Sequence, residues 1–397
     1  MSDNKFKPNW KTVKFGDVVR HVKDRVKDVE NCDLTEYTRG EHFEPGNLHL
    51  IGRSQLGDGL HGSAFHMRFR PGDVLYVSRN PQLRKVAVAD YEGICANTSY
   101  VLRADGENLI QELLPFIMQT EDFVEYTIQH KRGSTNFYLN PSDIEPYEFP
   151  LPPIDEQRRI AELLWAADDV IVKKQELLEN LKVLRQSVIN DIVPDPDNEP
   201  ELSFQLEDVC EMQNGKGFPR KEYTDHGIKL LRPGNLGING YFDWNSKATT
   251  HLPIIFQEQA SDYLIESGDV VINLTAQSLE DGFMGRVCLA RDGDESLLNQ
   301  RIGRFKCKPK IKLEYLYRCF QTIRFRQIAN SRCEGTKVKH MYWRHIADFK
   351  LVVPDIKKQD EVIEKCAASD SAIFAAETNL EKTIQLKKQL LNSNLTG

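Results

Sequence analysis

The chain has 397 residues, of which 40% are hydrophobic and 28% charged, so a disordered or fibrous protein is excluded and two or three globular units are expected. The formal net charge of −7 taken alone speaks against nucleic-acid binding, because phosphate binding needs clustered Lys and Arg. Since no stretch reaches the roughly 18 apolar residues of a membrane span, and residues 1–10 lack the apolar core of a signal peptide, we expect a cytoplasmic protein without membrane contact.

The sequence contains a long-period repeat. Its two copies match at a constant shift of 202 residues, at Gly133/Gly335, Ile144/Ile346, Pro152/Pro354, Ile154/Ile356, Gln157/Gln359 and Asp168/Asp370. Further upstream the register slips, yet a Gly-Asp turn still precedes a β-branched run in both copies. The chain is therefore expected to be two copies of one structural plan.

Each copy opens with strands and continues into a helix. Runs of β-branched or aromatic residues predict strands at 74–78, 86–89, 99–102 and 270–274. Helical spacing predicts one helix over 112–129 and another over 313–329, which are followed by Gly133 and Gly335.

A long helix is predicted to close the first copy. Residues 154–192 contain no Gly or Pro, and Asp155 and Glu156 stand in the first turn, where the helix dipole favours acids. Alternating steps of three and four residues indicate a coiled-coil seam. The predicted seam residues are Ile160, Leu163, Val170, Leu177, Leu181, Leu184 and Val188.

A second long helix is predicted from about Asp355 to Leu391. Its apolar seam is interrupted by Ser369, Thr383 and Lys387. The predicted seam residues are Val362, Ile373, Leu380 and Leu390. Two seamed helices of similar length in one chain are expected to pack on each other as an antiparallel coiled coil.

The basic residues are unevenly distributed. Residues 301–350 contain 14 Lys or Arg against 3 Asp or Glu, interleaved with aromatic side chains, a pattern that favours contact with nucleic acid. Residues 193–201, with three prolines and four acids, are typical of a linker. We therefore predict globules at 1–150 and 194–352, and helical segments at 151–193 and 353–397.

Sequence signatures of catalysis are missing. The chain has no Asp- or Asn-Pro-Pro-Tyr/Phe, no Gly-x4-Gly-Lys-Ser/Thr phosphate loop and no Glu-x-Lys following a Pro-Asp at nuclease spacing. Its eight cysteines are scattered without a Cys-x-x-Cys pair, which predicts free thiols and no metal site. We expect no catalytic residues and no cofactor in this chain.

The segment from Asn140-Pro-Ser-Asp-Ile144 through Phe149-Pro-Leu-Pro-Pro-Ile-Asp-Glu-Gln157-Arg-Arg-Ile160 resembles the junction between a target-recognition domain and the following helix in specificity subunits of type I restriction-modification systems. The duplicated layout is similar to that family over nearly the whole chain. The second junction, at 343–359, departs from the pattern, since it lacks the double proline and the Glu before Gln359.

The resemblance implies an α+β fold, in which two mixed α/β target-recognition globules alternate with two long spacer helices. Each globule would read one half of a bipartite, asymmetric site in double-stranded DNA. The chain would be non-catalytic and would recruit two methyltransferase subunits and restriction/translocase subunits, which would hold S-adenosylmethionine, ATP and magnesium. An autonomous DNA-binding regulator and a protein-binding coiled-coil scaffold are the alternatives; the long exposed helices disfavour the first, and the basic stretch 301–350 disfavours the second.

Base readout requires Arg, Lys, Asn or Gln side chains on loops that fit the major groove. Candidates after the strands are Arg79, Asn80, Gln82, Arg84, Lys85, Asn273, Thr275, Gln277 and Ser278. Candidates beside the two glycines are Lys131, Arg132, Ser134, Thr135, Asn136, Tyr138, Thr336, Lys337, Lys339, His340 and Tyr342. Arg301, in the segment 299–301, is a further candidate.

Two questions stay open in the sequence. Gly133 and Gly335 could support a phosphate clamp, or they could cap the preceding helices. Residues 97–99 and 299–301 could read bases or simply form turns.

Overall fold

The computed structural model describes residues 9–244 and 249–395; most of the N-terminal segment considered above lies outside these ranges. The chain divides into two compact units. Unit 1 comprises Met1–Gln175 with Thr378–Gly397, and unit 2 comprises Glu176–Glu377.

The described part of the first half, from residue 9 onward, contains ten strands and five α-helices. The strands are β1 (Lys11–Lys14), β2 (Val19–Val22), β3 (Glu36–Thr38), β4 (Ser54–Gln55), β5 (Phe65–Phe69), β6 (Val74–Val77), β7 (Val86–Val88), β8 (Gly93–Ala96), β9 (Ser99–Ala104) and β10 (Glu148–Leu151). The helices are α1 (Phe15–Val18), α2 (Leu114–Ile117), α3 (Glu121–Gln129), α4 (Pro141–Ile144) and α5 (Ile154–Ile192).

The described part of the second half repeats this pattern. Its strands are β11 (Ser203–Gln205), β12 (Cys210–Asn214), β13 (Ile228–Leu231), β14 (Thr250–Leu252), β15 (Leu264–Ile265), β16 (Val270–Asn273), β17 (Thr275–Ala276), β18 (Val287–Leu289), β19 (Ser296–Leu298), β20 (Ile302–Cys307), β21 (Lys339–His340) and β22 (Lys350–Val352). Its helices are α6 (Leu206–Val209), α7 (Phe256–Gln259), α8 (Leu313–Phe320), α9 (Ile323–Arg332) and α10 (Ile356–Leu395).

The two units share one sheet topology, as the repeat predicts. Unit 1 has four-stranded sheets in the orders β2-β9-β6-β7 and β4-β3-β8-β5, and unit 2 has β12-β20-β16-β18 and β14-β13-β19-β15. The predicted strands in the 74–78, 86–89, 99–102 and 270–274 regions are confirmed as β6, β7, β9 and β16. The mixed α+β class is therefore confirmed.

Strand β6 shows why these apolar runs form central strands. Its side chains alternate in direction, so Val74 and Tyr76 enter one apolar core while Leu75 and Val77 enter another. In unit 2, β16 divides in the same way, with Ile272 in one core and Val271 in the other. Because both faces are covered, the run is continuously apolar rather than alternating.

The two predicted helices before the glycines are each broken in two, so the single-helix predictions over 112–129 and 313–329 are wrong. Thr120 lies between α2 and α3 and caps the start of α3: its hydroxyl donates to the Ile117 carbonyl and accepts from the Phe123 N–H. Thr322 makes the equivalent bonds between α8 and α9. The helical spacing of the apolar residues continues across the capping threonine. The spacing alone therefore could not show that one helix ends and another begins there.

Buried glutamines fix the start of both long helices. The Gln157 amide accepts from the Ile110 N–H at 3.0 Å and donates to the carbonyls of Asn108 and Pro152. Gln359 makes the same set of three bonds in unit 2. The second junction is therefore built like the first, although its flanking sequence departs from the family pattern.

Part of the predicted seam on α5 is wrong by one residue. Leu163, Val170, Leu177 and Leu184 are between 44% and 57% exposed, whereas the side chains one position later, at Leu164, Ile171, Leu178 and Arg185, face inward. The sequence did not identify the inner face, because Asp168 and Arg185 lie on it and give it fewer apolar residues than the neighbouring face.

The other predicted seam positions agree better with burial. Ile160, Val362 and Ile373 are buried, and four others are half-buried. These are Leu181, Val188, Leu380 and Leu390.

Charged pairs occupy the inner faces of the long helices. In unit 1, Asp168 pairs with Lys387, and His49 Nε2 lies 2.7 Å from Asp168 Oδ2. Burial alone would raise the pKa of Asp168, but the His49 hydrogen bond and the Lys387 charge together hold it below its ordinary value. Lys174 also donates to Thr383, so the two helices run in opposite directions within unit 1.

Unit 2 contains the repeat-related pair. Asp370 pairs with Arg185 and Arg318, and it accepts a hydrogen bond from the Tyr241 hydroxyl at 2.8 Å. Burial opposes ionisation of Asp370, yet the two guanidinium groups keep its pKa low. Asp168 and Lys387 of unit 1 thus correspond to Asp370 and Arg185 of unit 2 under the 202-residue shift.

Candidate nucleic-acid interface

In unit 1, the candidate loops meet at one end of the sheet that contains β6. Residues 78–85 leave the end of β6, and residues 130–138 follow α3. Arg79 forms a β-bridge with Tyr138, and the Asn80 N–H donates to the Phe137 carbonyl at 2.9 Å. Two groups of candidates that are separated by about 50 residues in the sequence are therefore neighbours.

Unit 2 brings the equivalent loops together. Strand β17, directly after β16, pairs with β21, so that Thr275 stands opposite His340 and Ala276 opposite Lys339. The Met341 N–H also donates to the Leu274 carbonyl at 2.9 Å. The same end of each repeat thus forms a compact edge of polar loops.

Gly133 and Gly335 lie in tight loops closed by paired backbone hydrogen bonds, between Arg132 and Tyr138 and between Glu334 and His340. Both glycines have positive φ, and an added Cβ would come within 2.8 Å of the Asn136 carbonyl or 2.2 Å of the Val338 carbonyl. The helix caps are His130 and Cys333 instead. The cap interpretation of these glycines is wrong; the phosphate clamp stays a prediction.

Many candidate side chains are accessible at these edges. The exposed ones are Arg79, Gln82, Arg132, Ser134, Thr135, Asn136, Tyr138, Gln277, Arg301, Thr336, Lys337 and Tyr342. The half-buried ones are Asn80, Arg84, Lys85, Lys131, Thr275, Ser278, Lys339 and His340. Their contacts with DNA stay predictions.

Asn273 does not fit the base-reading role predicted for it. Its side chain is fully buried, and its amide nitrogen donates to the carbonyls of Thr275 and Phe283, each at 2.7 Å. A side chain committed in this way shapes the loop that carries Gln277 and cannot reach a base edge. Its position at the end of the strand suggested an exposed side chain, because the sequence does not show which way that side chain points.

Arg84 is neutralised within the protein. Its two terminal nitrogens donate to the Glu121 carboxylate at 2.9 and 2.5 Å, and Lys388 lies 2.8 Å from the same group. The hydrogen bond from Arg84, then that from Lys388, lowers the pKa of Glu121 to about 2. Arg84 therefore ties the candidate loop to α3, and this pairing does not fit the base-reading role predicted for it.

Three other candidates are also engaged. Arg132 pairs with Asp143, Lys85 Nζ donates to the Gly40 carbonyl at 2.5 Å, and the Ser278 hydroxyl accepts the Glu280 N–H at 3.1 Å. Lys131 lies 4.0 Å from the centre of the Phe137 ring. Only Arg132 has a carboxylate partner, which neutralises its charge. Lys85 and Lys131 contact neutral groups, so their positive charges remain able to attract an anion.

A further basic segment, in the N-terminal region where residues 1–27 contain 8 Lys or Arg against 3 Asp or Glu, lies at the same end of unit 1 but was not among the candidate residues. Lys23, Arg25 and Lys27 follow β2 and are all exposed. Their spacing of two residues places them on one side of an extended chain, and this spacing is the signal that could have identified them.

The residues described, 9–244 and 249–395, include no group of three His, Cys, Asp or Glu side chains placed to hold a metal ion. Within the same ranges, no helix is long and apolar enough to cross a membrane.

The sequence was compared with models of known protein families. The model described as type I restriction modification DNA specificity domain matches residues 8–182 and 199–393. The chain belongs to this family. The two matched stretches correspond to the two copies of the repeat, and the predicted identity, a non-catalytic specificity subunit of a type I restriction-modification system, is confirmed.

Specificity subunits of other type I restriction enzymes are similar to this subunit. The MjaVIII subunit of Methanocaldococcus jannaschii is 23% identical over 416 residues, which cover 98% of this chain and 92% of the relative. The EcoDI subunit of Escherichia coli is 25% identical over 186 residues, covering 46% of this chain and 40% of that subunit.

Solved structures share the fold of this subunit. A chain from a structural study of complex assembly and conformational transition in a type I restriction-modification system gives a TM-score of 0.61 at 16% identity, with 98% of both chains covered. The S subunit from M. genitalium gives 0.58 at 13% identity, covering 100% of this chain and 98% of that subunit.

Proposed function

We propose that this specificity subunit reads a bipartite, asymmetric DNA site, with one half-site for each unit. The observation that carries the proposal is the repeated edge: in both units, the loop after the central strand pairs with the loop after a helix at the same end of the sheet. Because the two edges differ in sequence, the two half-sites are expected to differ.

We also propose that α5 and α10 form an antiparallel coiled coil along their length and that its outer surface docks two methyltransferase subunits. Leu163 and Val170 in unit 1, and Leu177 and Leu184 in unit 2, support this proposal as exposed apolar side chains seven residues apart. Restriction/translocase subunits would join the complex. S-adenosylmethionine, ATP and magnesium would be held by the partners, in the cytoplasm.

Co-expression with its cognate methyltransferase subunit tests the proposed function. The complex is expected to methylate adenine at a two-part motif, as read by single-molecule sequencing, whereas the chain alone is expected to leave DNA unmodified. A variant with Gln277→Ala and Asn136→Ala, one change in each candidate edge, should relax the motif in both halves.

A continuous palindromic motif would contradict the bipartite proposal. Specific DNA binding by the isolated chain, with no effect of the methyltransferase on DNA modification, would favour the autonomous regulator instead.

A further inference from the structure

A third segment lies at the candidate edge of unit 2. Strand β12 ends at Asn214, and β20, its antiparallel partner, begins at Ile302, so residues 215–218 lie beside the turn at 299–301. The Gly215 N–H donates to the Ile302 carbonyl at 2.9 Å, and the Lys216 N–H donates to the Leu298 carbonyl at 3.0 Å. The segment is therefore fixed to the turn by backbone hydrogen bonds.

The glycines on either side of Lys216 allow this close approach. A Cβ on Gly215 would lie 2.0 Å from the Asn299 carbonyl oxygen, a distance that no side chain tolerates. A Cβ on Gly217 would lie 2.9 Å from Gln300 Oε1. Gly217 thus leaves the space that the Gln300 amide occupies.

The turn at 299–301 contains one structural residue and one accessible residue. Asn299 is buried, and its side-chain oxygen accepts the Gln300 N–H at 2.7 Å. Gln300 itself is exposed. The two residues therefore differ in role. Asn299 forms the turn, and the exposed amide of Gln300 can make an external contact.

Lys216, the residue before Gly217, supplies an accessible positive charge in the same segment. It is exposed, and its Nζ lies 5.7 Å from the centre of the Tyr263 ring. Over residues 9–244 and 249–395, no carboxylate forms an ion pair with it. A lysine of this kind suits a phosphate, while a Gln amide suits the paired donor and acceptor of adenine in the major groove.

We propose that Lys216 and Gln300 are a third DNA-contacting element of unit 2, in which Gln300 reads an adenine and Lys216 binds a neighbouring phosphate. This inference rests on the proposed function and adds a specificity-determining residue to it. The close approach of segment 215–218 leaves room for the Gln300 amide beside Gly217.

Unit 1 has a different arrangement at this position. The segment after β2 turns to β5 instead: Arg25 forms a β-bridge with Met67, and the Val26 N–H donates to the His66 carbonyl at 2.9 Å. The contact is therefore assigned to the half-site of unit 2 alone.

The test uses the full-length chain in complex with its methyltransferase subunits. After the wild-type motif is known from methylation sequencing, Gln300→Ala is expected to reduce discrimination at one base position of one half-site roughly 5- to 150-fold. Gly217→Ala should relax the same position, because its methyl group displaces the Gln300 amide.

Lys216→Ala should weaken binding of cognate and unrelated duplexes by similar factors and make the slope of log K against log salt less negative by about 0.9. Lys308→Ala is the matched control, since Lys308 is an exposed lysine just past the opposite end of β20. It should leave both the motif and the salt slope unchanged.

The outcomes separate this inference from the proposed function. A wild-type complex without a two-part motif contradicts the proposed function. A wild-type motif that Gln300→Ala leaves unchanged overturns the inference alone, and relaxation by Gly217→Ala without relaxation by Gln300→Ala does the same. Melting temperatures equal to the wild type show that Gln300→Ala and Lys216→Ala act on binding rather than on folding.

Discussion

At the scale of single residues, Lys337 and Lys339 stand in the loop that Gly335 opens, and Lys337 is exposed. Replacing either with Ala is expected to weaken binding of all DNA sequences to about the same extent, because a lysine acts on phosphate as a point charge. The slope of log K against log salt should become less negative by about 0.9 for each substitution. Fluorescence anisotropy titrations at several salt concentrations measure both quantities.

Lys308→Ala again serves as the control for charge removal outside the edge. If binding to the cognate duplex falls while binding to unrelated duplexes is unchanged, the two lysines read bases and the phosphate role is wrong.

Residue type alone did not distinguish side chains that are free to contact DNA from side chains that are bonded within the protein. Asn273 is the last residue of β16, and Gln277 follows β17. Both side chains carry an amide, yet Asn273 is buried and bonded to two carbonyls, whereas Gln277 is exposed. Arg84 likewise has the chemistry of a phosphate ligand, but Glu121 neutralises it. Glu121 lies 37 residues from Arg84 in the sequence, and the partners of Asn273 depend on how the loop at 275–283 bends, so both sets of contacts are decided only on folding.

At the scale of secondary-structure elements, the start of each long helix depends on one buried glutamine. Gln157→Ala or Gln359→Ala removes three hydrogen bonds and leaves two carbonyls and one N–H without their partner. We expect each substitution to lower the free energy of unfolding by about 1–3 kcal/mol. Urea unfolding followed by circular dichroism measures the loss.

Arg158→Ala is the control, since Arg158 is the exposed neighbour of Gln157 on the same helix. Equal stability of the Gln157→Ala and Arg158→Ala variants would show that the junction is held by its prolines and not by the amide.

Helical periodicity located α5 from Ile154 to Ile192 correctly but did not identify its inner face. The series that begins at Leu163 and the series that begins at Leu164 both repeat every seven residues. The Leu163 series is the more apolar, yet it is partly exposed. The inner face accepts Asp168 and Arg185 because α10 supplies Lys387 and Asp370 as counterions. A buried charge is tolerated only with its partner, and the partner lies about 200 residues away.

At the scale of the whole molecule, the long helices are expected to set the gap between the half-sites. Within unit 1, Asp168 meets Lys387 and Lys174 meets Thr383, so one heptad inserted after Val170 and one after Ile384 lie opposite each other and retain both pairs. Each insertion adds about 10 Å of helix, equivalent to about 3 base pairs.

We expect a motif whose gap is longer by about 1–3 base pairs, with both half-site sequences unchanged, since about 3 base pairs also rotate the far half-site. Methylation sequencing of the double-insertion variant measures the gap. The control with the insertion in α5 alone should lose activity, because the helices then no longer match. An active double-insertion variant with the original gap would show that the helices are not the spacer.

The sequence by itself determined the duplication, the central strands, the extent of α5 and the family, because all of these are recorded in local composition and in repeated spacing. The domain limits and the DNA contacts proposed from it stay predictions. Tertiary structure alone decided which amides are buried, which arginines are neutralised and which face of α5 is inward. It also decided that Gly217 makes room for Gln300. These features depend on contacts between residues far apart in the chain, where hydrogen-bond and charge partners are set by the fold rather than by sequence neighbours.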